Sequence, residues 1–425
     1  MHMNSKANLI YSILCFLYKI VVDIVYVIAI SPIYGYSGFI LDFNIFKYII
    51  SFLYFTLILH IIPKDSKRIS YMVLHMHFLV MIIPMFTFYS FSNQSNLFMA
   101  MITFCFLLEI FLLKYSRLIK ISKIKSAKII LTSLFIIITF ITYVFSFKYN
   151  GISISALNFK NVYSIRAQLY LPTWLGYLAT WQHSIINPYI IVRSMYSKNY
   201  KLAFVFFFLQ FILYLILPYK VILLSIPCIF CIIFVLKKIN YNNISLIGAS
   251  IAILISNYIY KLGISLLPVS LISRFIYVPA QIKFQHFEVF SKVYDKLYYS
   301  EGIIGKLLGI EYKFSVPSGF VVDSIFGSGG SNSNTGYLAY AYDNAGFIGM
   351  IIMSLLFVFI MILIDSLSKT KDRTYIFALL FLQMMYLNDG DLLTCLLTGG
   401  LFLTIIILLI SEKDFNNDSL IENKL

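Results

Sequence analysis

The chain has 425 residues, 60% hydrophobic and only 12% charged, with a formal charge of +15 and a mean hydropathy of +0.87. A soluble protein is typically about one quarter charged, so this composition excludes a water-soluble globular fold. A bilayer accommodates it, because a helix of roughly 20 apolar residues closes its own backbone hydrogen bonds while its side chains face lipid. In chain order, hydropathy predicts spans at about Leu9 to Ile30, Ile45 to Ile62, Tyr71 to Ser90, Leu97 to Leu113, Ile129 to Phe147 and Trp174 to Val192. A second group follows at Leu202 to Leu217, Val221 to Leu236, Ser245 to Tyr260, Leu338 to Ile364, Tyr375 to Leu387 and Leu392 to Ile410. The first of these is longer than a secretory h-region and meets Ser31-Pro32 rather than a small-x-small site, so it reads as a retained span. The expectation is a single all-α, polytopic membrane domain over residues 1–425 with about 12 transmembrane helices.

Basic residues in short loops favour the cytoplasm, which orients the chain. With the N-terminus inside, the inner segments collect Lys64, Lys67 and Arg68, the cluster Lys114 to Lys128, then Arg193, Lys198 and Lys201, then Lys237 and Lys238, then Lys369, Lys371 and Arg373. The short outer segments Ser31 to Asp42, Phe91 to Asn96 and Asn388 to Asp391 carry no Lys or Arg. Both termini therefore read as cytoplasmic. The excess positive charge is explained by topology, and no nucleic-acid partner is predicted. The five cysteines fall in or beside apolar runs, so no disulfide framework is proposed; the CxxC pair Cys228 and Cys231 reads as small packing residues.

This topology leaves two sizeable outer loops, 148–173 and 261–337, the longer lying between spans 9 and 10. Loops that long are usually functional. The second contains amphipathic material over Ile282 to Tyr299, expected as a small helical subdomain on the membrane, and the Gly/Ser/Asn tract Gly327 to Asn334. Of six arginines, four sit inside where the topology rule accounts for them, whereas Arg166 and Arg274 stand one in each large outer loop. A guanidinium forks onto phosphate oxygens and keeps its charge at any workable pH, so each is a candidate anion ligand as well as a candidate headgroup anchor. Lys220, alone in the tight turn Pro218-Tyr-Lys220, offers a third cation or an interfacial snorkel. His286 and Glu288, in Gln285-His-Phe-Glu288, are candidates for a general base acting on a sugar hydroxyl. His183, inside a span, reads as a packing histidine.

Asp389-Gly-Asp391 has DxD spacing, but turn and N-cap residues explain two short acids between spans equally well, and no metal-ligand set accompanies them. Gly327-Ser-Gly-Gly330 lacks the Lys of a P-loop and reads as a hinge rather than a nucleotide site. Lys19 and Asp23 are four apart in the first span, able to neutralise each other on one helix face. No metal or other cofactor is expected.

Several strings, in order, resemble the Wzy-type oligosaccharide repeat-unit polymerases, also called O-antigen polymerases. They are Arg166, Leu175-Gly-Tyr-Leu-Ala-Thr-Trp181, Ile186-Asn-Pro188, Lys220, Ser273-Arg-Phe-Ile-Tyr-Val-Pro-Ala280, Phe290-Ser291 and Asn334 to Gly349. The similarity covers the second half to two thirds of the chain. It implies a glycosyltransferase C-like fold in the bacterial inner membrane and a metal-independent, inverting transfer. A growing glycan would pass from undecaprenyl pyrophosphate to a new lipid-linked repeat unit, building O-antigen or capsular polysaccharide. The resemblance makes Arg166 and Arg274 pyrophosphate ligands with Lys220 assisting, and implies a Wzz-type chain-length regulator and a Wzx-type flippase as partners beside membrane lipid. An O-antigen ligase acting on a lipid A core, and a flippase or transporter of the same lipid-linked sugar, are the alternative readings.

Overall fold

The computed structural model describes residues 5–410 apart from 66, 123, 125, 126, 159, 160, 237–249, 252, 255–271, 328 and 329. The described chain is almost entirely helical, and its one strand-like pairing among those residues is the bridge between Asp42 and Ser92. Five of its helices are long and apolar enough to cross a membrane: Asn8–Ser37, Ile69–Phe91, Asn96–Tyr115, Ile129–Asn150 and Tyr337–Ser368. Shorter apolar helices occupy Ile45–Ile61, Tyr200–Ile216, Lys220–Phe230 and Leu401–Ile410. This is the architecture of a helical membrane-embedded protein. Most of the expected span at Ser245 to Tyr260 lies outside the described residues.

The chain divides into two compact units. The first comprises Met1–Arg117, Asn240–Ile362 and Leu387–Leu392, and the second Leu118–Ile239, Leu363–Tyr386 and Leu393–Leu425. The first is centred on Ile69–Phe91, nearly all of whose residues are buried. The neighbouring spans donate tyrosines and phenylalanines in edge-to-face contacts, such as Tyr26 with Phe39 and Phe88, and Phe98 with Phe284. Lys19 and Asp23 do meet across one helical turn, at 2.5 Å, and Thr87 and Tyr48 donate to the same carboxylate at 2.6 and 3.3 Å. A charge pair in the apolar interior persists only when its remaining hydrogen bonds are satisfied, as these are. Glu109 is buried too, its two oxygens accepting from the Tyr337 hydroxyl at 2.8 and 2.9 Å.

Prolines shape the spans in a regular way. π-helical turns at Tyr26–Ile30, Phe78–Ile82 and Ser273–Tyr277 in the first unit, and Gln182–Ile186 in the second, each end two residues before Pro32, Pro84, Pro279 and Pro188 respectively. A proline ring clashes with the carbonyl four residues earlier and donates no hydrogen bond, and widening that turn relieves both without breaking the helix. Ser31-Pro32, expected to end the first span, is therefore traversed in helical conformation. The reverse holds at Leu392 to Ile410, expected as one span. The structure divides it into Leu392–Leu397 and Leu401–Ile410, because Gly400 adopts a φ of +77° and a side chain there would meet Ile185 and Trp181. The helix Tyr337–Ser368 likewise breaks at Ala345 and Gly346, the latter at φ +63°.

The second unit is held by a buried amide network. Asn187 donates to Gln210 at 2.6 Å and to the Tyr143 hydroxyl at 3.0 Å, Gln182 donates to Asn187 at 2.7 Å, and Gln210 donates to Ser225 at 3.1 Å. Four helices are thereby fixed in register by side chains with few alternative partners.

Candidate functional site

In the second unit, residues 148–173 form no independent domain. They turn through Ile154–Leu157, pinned to the end of helix Tyr200–Ile216 by Ser153 donating to Leu215 O at 2.9 Å and by the Tyr214 hydroxyl donating to Ala156 O at 2.7 Å. They then form the short helix Val162–Ala167, from which Arg166 lays its guanidinium 4.6 Å above the Tyr219 ring. Tyr219 immediately precedes Lys220, the first residue of helix Lys220–Leu236. Two candidates 54 positions apart in sequence are thus brought to one turn. A guanidinium held over an aromatic face is oriented in advance.

Tyr219 also lines a cavity of about 480 Å³, whose lining mixes the polar Thr173, Tyr177, Thr180, His183 and Thr398 with the apolar Leu171, Leu217, Val221 and Ile222. This volume lies in the range of small-ligand pockets, roughly 300–1,000 Å³. His183, expected as a packing residue, faces this cavity. The helix break at Gly399 and Gly400 places Thr398 there, and Trp181 donates to Leu397 O at 3.1 Å to hold the broken end.

In the first unit, Arg274, His286 and Glu288 share one continuous helical run, Ser273–Tyr277, Val278–Glu288 and Val289–Val293. That run is packed inside the unit rather than lying along a surface: Tyr277 donates to Val22 O at 2.8 Å, Gln281 donates to Ser37 O at 2.8 Å, and Phe284 and Phe287 pack on Phe98. Its amphipathic pattern pairs with other helices because aromatic rings occupy both flanks. His286 is buried. Its Nδ1 meets Asp343 at 2.6 Å and its Nε2 meets Ser333 O at 2.7 Å. An acceptor at each nitrogen favours the protonated ring. Burial opposes that charge, but the Asp343 carboxylate and the Ser333 carbonyl outweigh it and raise the pKa above the ordinary histidine value. Glu288 pairs with Lys292 at 3.0 Å on a partly exposed face. Arg274 is exposed.

The Ser331 to Asn334 part of the Gly/Ser/Asn tract is tied down: Ser331 N and Oγ donate to Asp323 at 3.0 and 2.8 Å, and Ser333 O engages His286. Ser328 and Gly329 lie outside the described residues.

One group here escaped the reading of the sequence, and a second was weighed there only as half of a DxD spacing. Lys283 is buried, its ammonium donating to Pro279 O at 3.1 Å, Asn388 O at 2.7 Å and Asn388 Oδ1 at 2.8 Å. Burial pushes its pKa down to about 7, only partly offset by nearby Asp389. Asp389 is the second. The turn that carries it is fixed by Lys283, by Asn388 Nδ2 donating to Phe275 O at 3.5 Å, and by Gly336, where any side chain would meet Asn388 O and Lys283. Asp389 itself is exposed. Neighbouring protein atoms push its pKa up to about 6, against the opposing pull of Lys283 and Arg274. The sequence offered only DxD spacing, which carries no information about either neighbour. Among the described residues no cluster of three or more His, Cys, Asp or Glu could hold a metal ion.

No family model, curated protein or solved structure matches this chain.

Proposed function

We propose that the chain is a membrane glycosyltransferase that extends a polyprenyl diphosphate-linked glycan, adding lipid-linked repeat units as a polysaccharide polymerase. The observation that carries this reading is Arg166 preset over Tyr219, next to Lys220 and beside a cavity lined by both apolar and polar side chains. An amphiphilic donor presents the same two faces: a prenyl chain that stays with apolar side chains and a diphosphate that takes fixed cations. Diphosphate leaves with negative charge, and cations held where that charge develops lower the barrier without a metal. In the proposal Arg166 and Lys220 fill that role, and Arg274, in the other unit, is the further cation that the sequence resemblance implies. About twelve spans, a glycosyltransferase C-like fold, both termini in the cytoplasm and a site on the outer face of a bacterial inner membrane complete it. Partners of the Wzz and Wzx types belong to the same proposal.

Transfer also requires a group that takes the acceptor hydroxyl proton. The two candidates that the sequence offers are engaged, His286 at both nitrogens and Glu288 with Lys292.

Arg166→Ala and Arg274→Ala are expected to abolish chain growth in cells while expression stays normal, read as loss of the glycan ladder on a gel. Wild-type ladders from both variants would refute the diphosphate site. A deletion strain that still carries one repeat unit on its acceptor supports a polymerase, and one that carries none supports a ligase.

A further inference from the structure

We propose that His183 is the catalytic base of the cavity in the second unit, the ring whose Nε2 takes the proton from the attacking sugar hydroxyl while Arg166 and Lys220 hold the leaving diphosphate. This rests on the glycosyl-transfer reading above and supplies the proton acceptor which that reading lacks, from the same compact unit as the two cations.

His183 belongs to one polar face of its helical run. Thr173, Tyr177, Thr180 and His183 recur every three or four residues through the helix Thr173–Trp181 and the π turn Gln182–Ile186, and all four line the cavity. The turn is fixed through its backbone: Gln210 donates to His183 O at 3.1 Å, Gln383 donates to Ser184 O at 3.2 Å, and Ser184 Oγ donates to Thr180 O at 2.6 Å. The imidazole takes no part in this network. Its Nδ1 is enclosed without a hydrogen-bond partner, and among the described residues Nε2 has none either. The ring is half-buried, and Nδ1 is the enclosed nitrogen, so the edge that carries Nε2 is the one presented to the cavity. Interior polar groups are ordinarily paired, and a pinned backbone bearing an unpaired ring is the arrangement of a group kept for a ligand.

Tyr219 joins this nitrogen to the anion site. It lines the same cavity and carries the Arg166 guanidinium 4.6 Å above its ring, with Lys220 next in sequence. The cavity has room for a sugar ring. Among the described residues that line it there is no Asp or Glu, and histidine is the side chain there that exchanges a proton near neutral pH. The chemistry balances. The acceptor hydroxyl oxygen forms a bond to the anomeric carbon of the donor glycan, and the bond from that carbon to the diphosphate oxygen breaks, its electron pair leaving on polyprenyl diphosphate. The hydroxyl proton passes to His183 Nε2 and then to water, and no oxidant, reductant or further reactant is consumed.

The test uses the full-length protein in detergent, with polyprenyl diphosphate-linked glycan extracted from a strain lacking the chain as substrate, and undecaprenyl diphosphate as the binding probe. His183→Ala is expected to lower kcat about a hundredfold or more, with KM and probe affinity within about threefold of wild type. Free imidazole is expected to recover about tenfold of that loss by entering the vacated space, whereas His183→Phe, which keeps the space filled, is expected to be as slow and to gain nothing. An alanine variant that polymerises within about threefold of wild type overturns the proposal, as does one whose rate imidazole leaves unchanged. If the alanine variant does not fold, diethyl pyrocarbonate on the wild-type chain decides. Carbethoxylation of His183, located by mass spectrometry, is expected and is expected to slow when the lipid-linked glycan is bound; a His183 that does not react, or that reacts equally fast with and without the glycan, overturns the assignment. If wild type makes no polymer, the functional reading falls and the base assignment with it; if wild type polymerises and only the His183 results fail, the functional reading stands.

Discussion

Replacing Lys283 by methionine tests how the turn at Asn388 and Asp389 is held. The ammonium lies in the interior and its pKa has dropped from 10.5 to about 7, so carrying the charge costs about 5 kcal/mol relative to the unfolded chain. The sign follows from proton counts. Between pH 7 and 10.5 the unfolded chain binds the proton that the folded chain has released, so the penalty is full below 7, fades as pH rises and vanishes above 10.5. Methionine keeps the volume and removes the penalty, but it leaves two Asn388 acceptors without a donor, at about 1–3 kcal/mol each. At pH 6.5 these effects nearly offset. At pH 9.5 the penalty has shrunk to about 1.4 kcal/mol while the lost hydrogen bonds still count, so the variant should lose about 3 kcal/mol against wild type over that interval. The assay is thermal unfolding of both proteins in one detergent at several pH values, where about 2–4 °C corresponds to 1 kcal/mol for a unit of this size. A difference in melting temperature that stays constant from pH 6.5 to 9.5 would refute the reasoning.

Removing the imidazole in His286→Leu leaves the Asp343 carboxylate buried without its cation, at a cost of about 3–5 kcal/mol, seen as a lower melting temperature. In wild type the pairing keeps the histidine charged through its unfolded pKa of 6.5, whereas in the variant the lone buried Asp343 takes up a proton in acid and so sheds its unpaired charge; the deficit should therefore be smallest in acid and grow toward neutral pH, and a deficit largest in acid contradicts the ion pair. Gly400→Ala forces a side chain into a left-handed backbone position against Ile185 and Trp181, and about 1–3 kcal/mol of destabilisation is expected; a melting temperature equal to wild type would show that the helix break is not imposed by this glycine.

Sequence by itself determined that this chain lives in a bilayer and where most of its apolar helices lie, because hydropathy is a local sum over about twenty residues. It also foretold the Lys19 and Asp23 pairing, since a spacing of four on a helix fixes a contact. It did not determine where helices break. Ser31-Pro32 looked like an end and became a π turn followed by more helix, while Gly400 divided what looked like one span, and both outcomes depend on what packs alongside. The candidate site was legible in its cations, because Arg166 and Arg274 are the two of six arginines that the topology rule did not account for. Only tertiary structure decided that Arg166 sits on Tyr219, that His286 is enclosed by Asp343 and Ser333, and that Lys283 holds the turn bearing Asp389. Each of the last two joins residues 47 or more positions apart, and a buried ion or a fixed turn exists only through partners that no local pattern specifies.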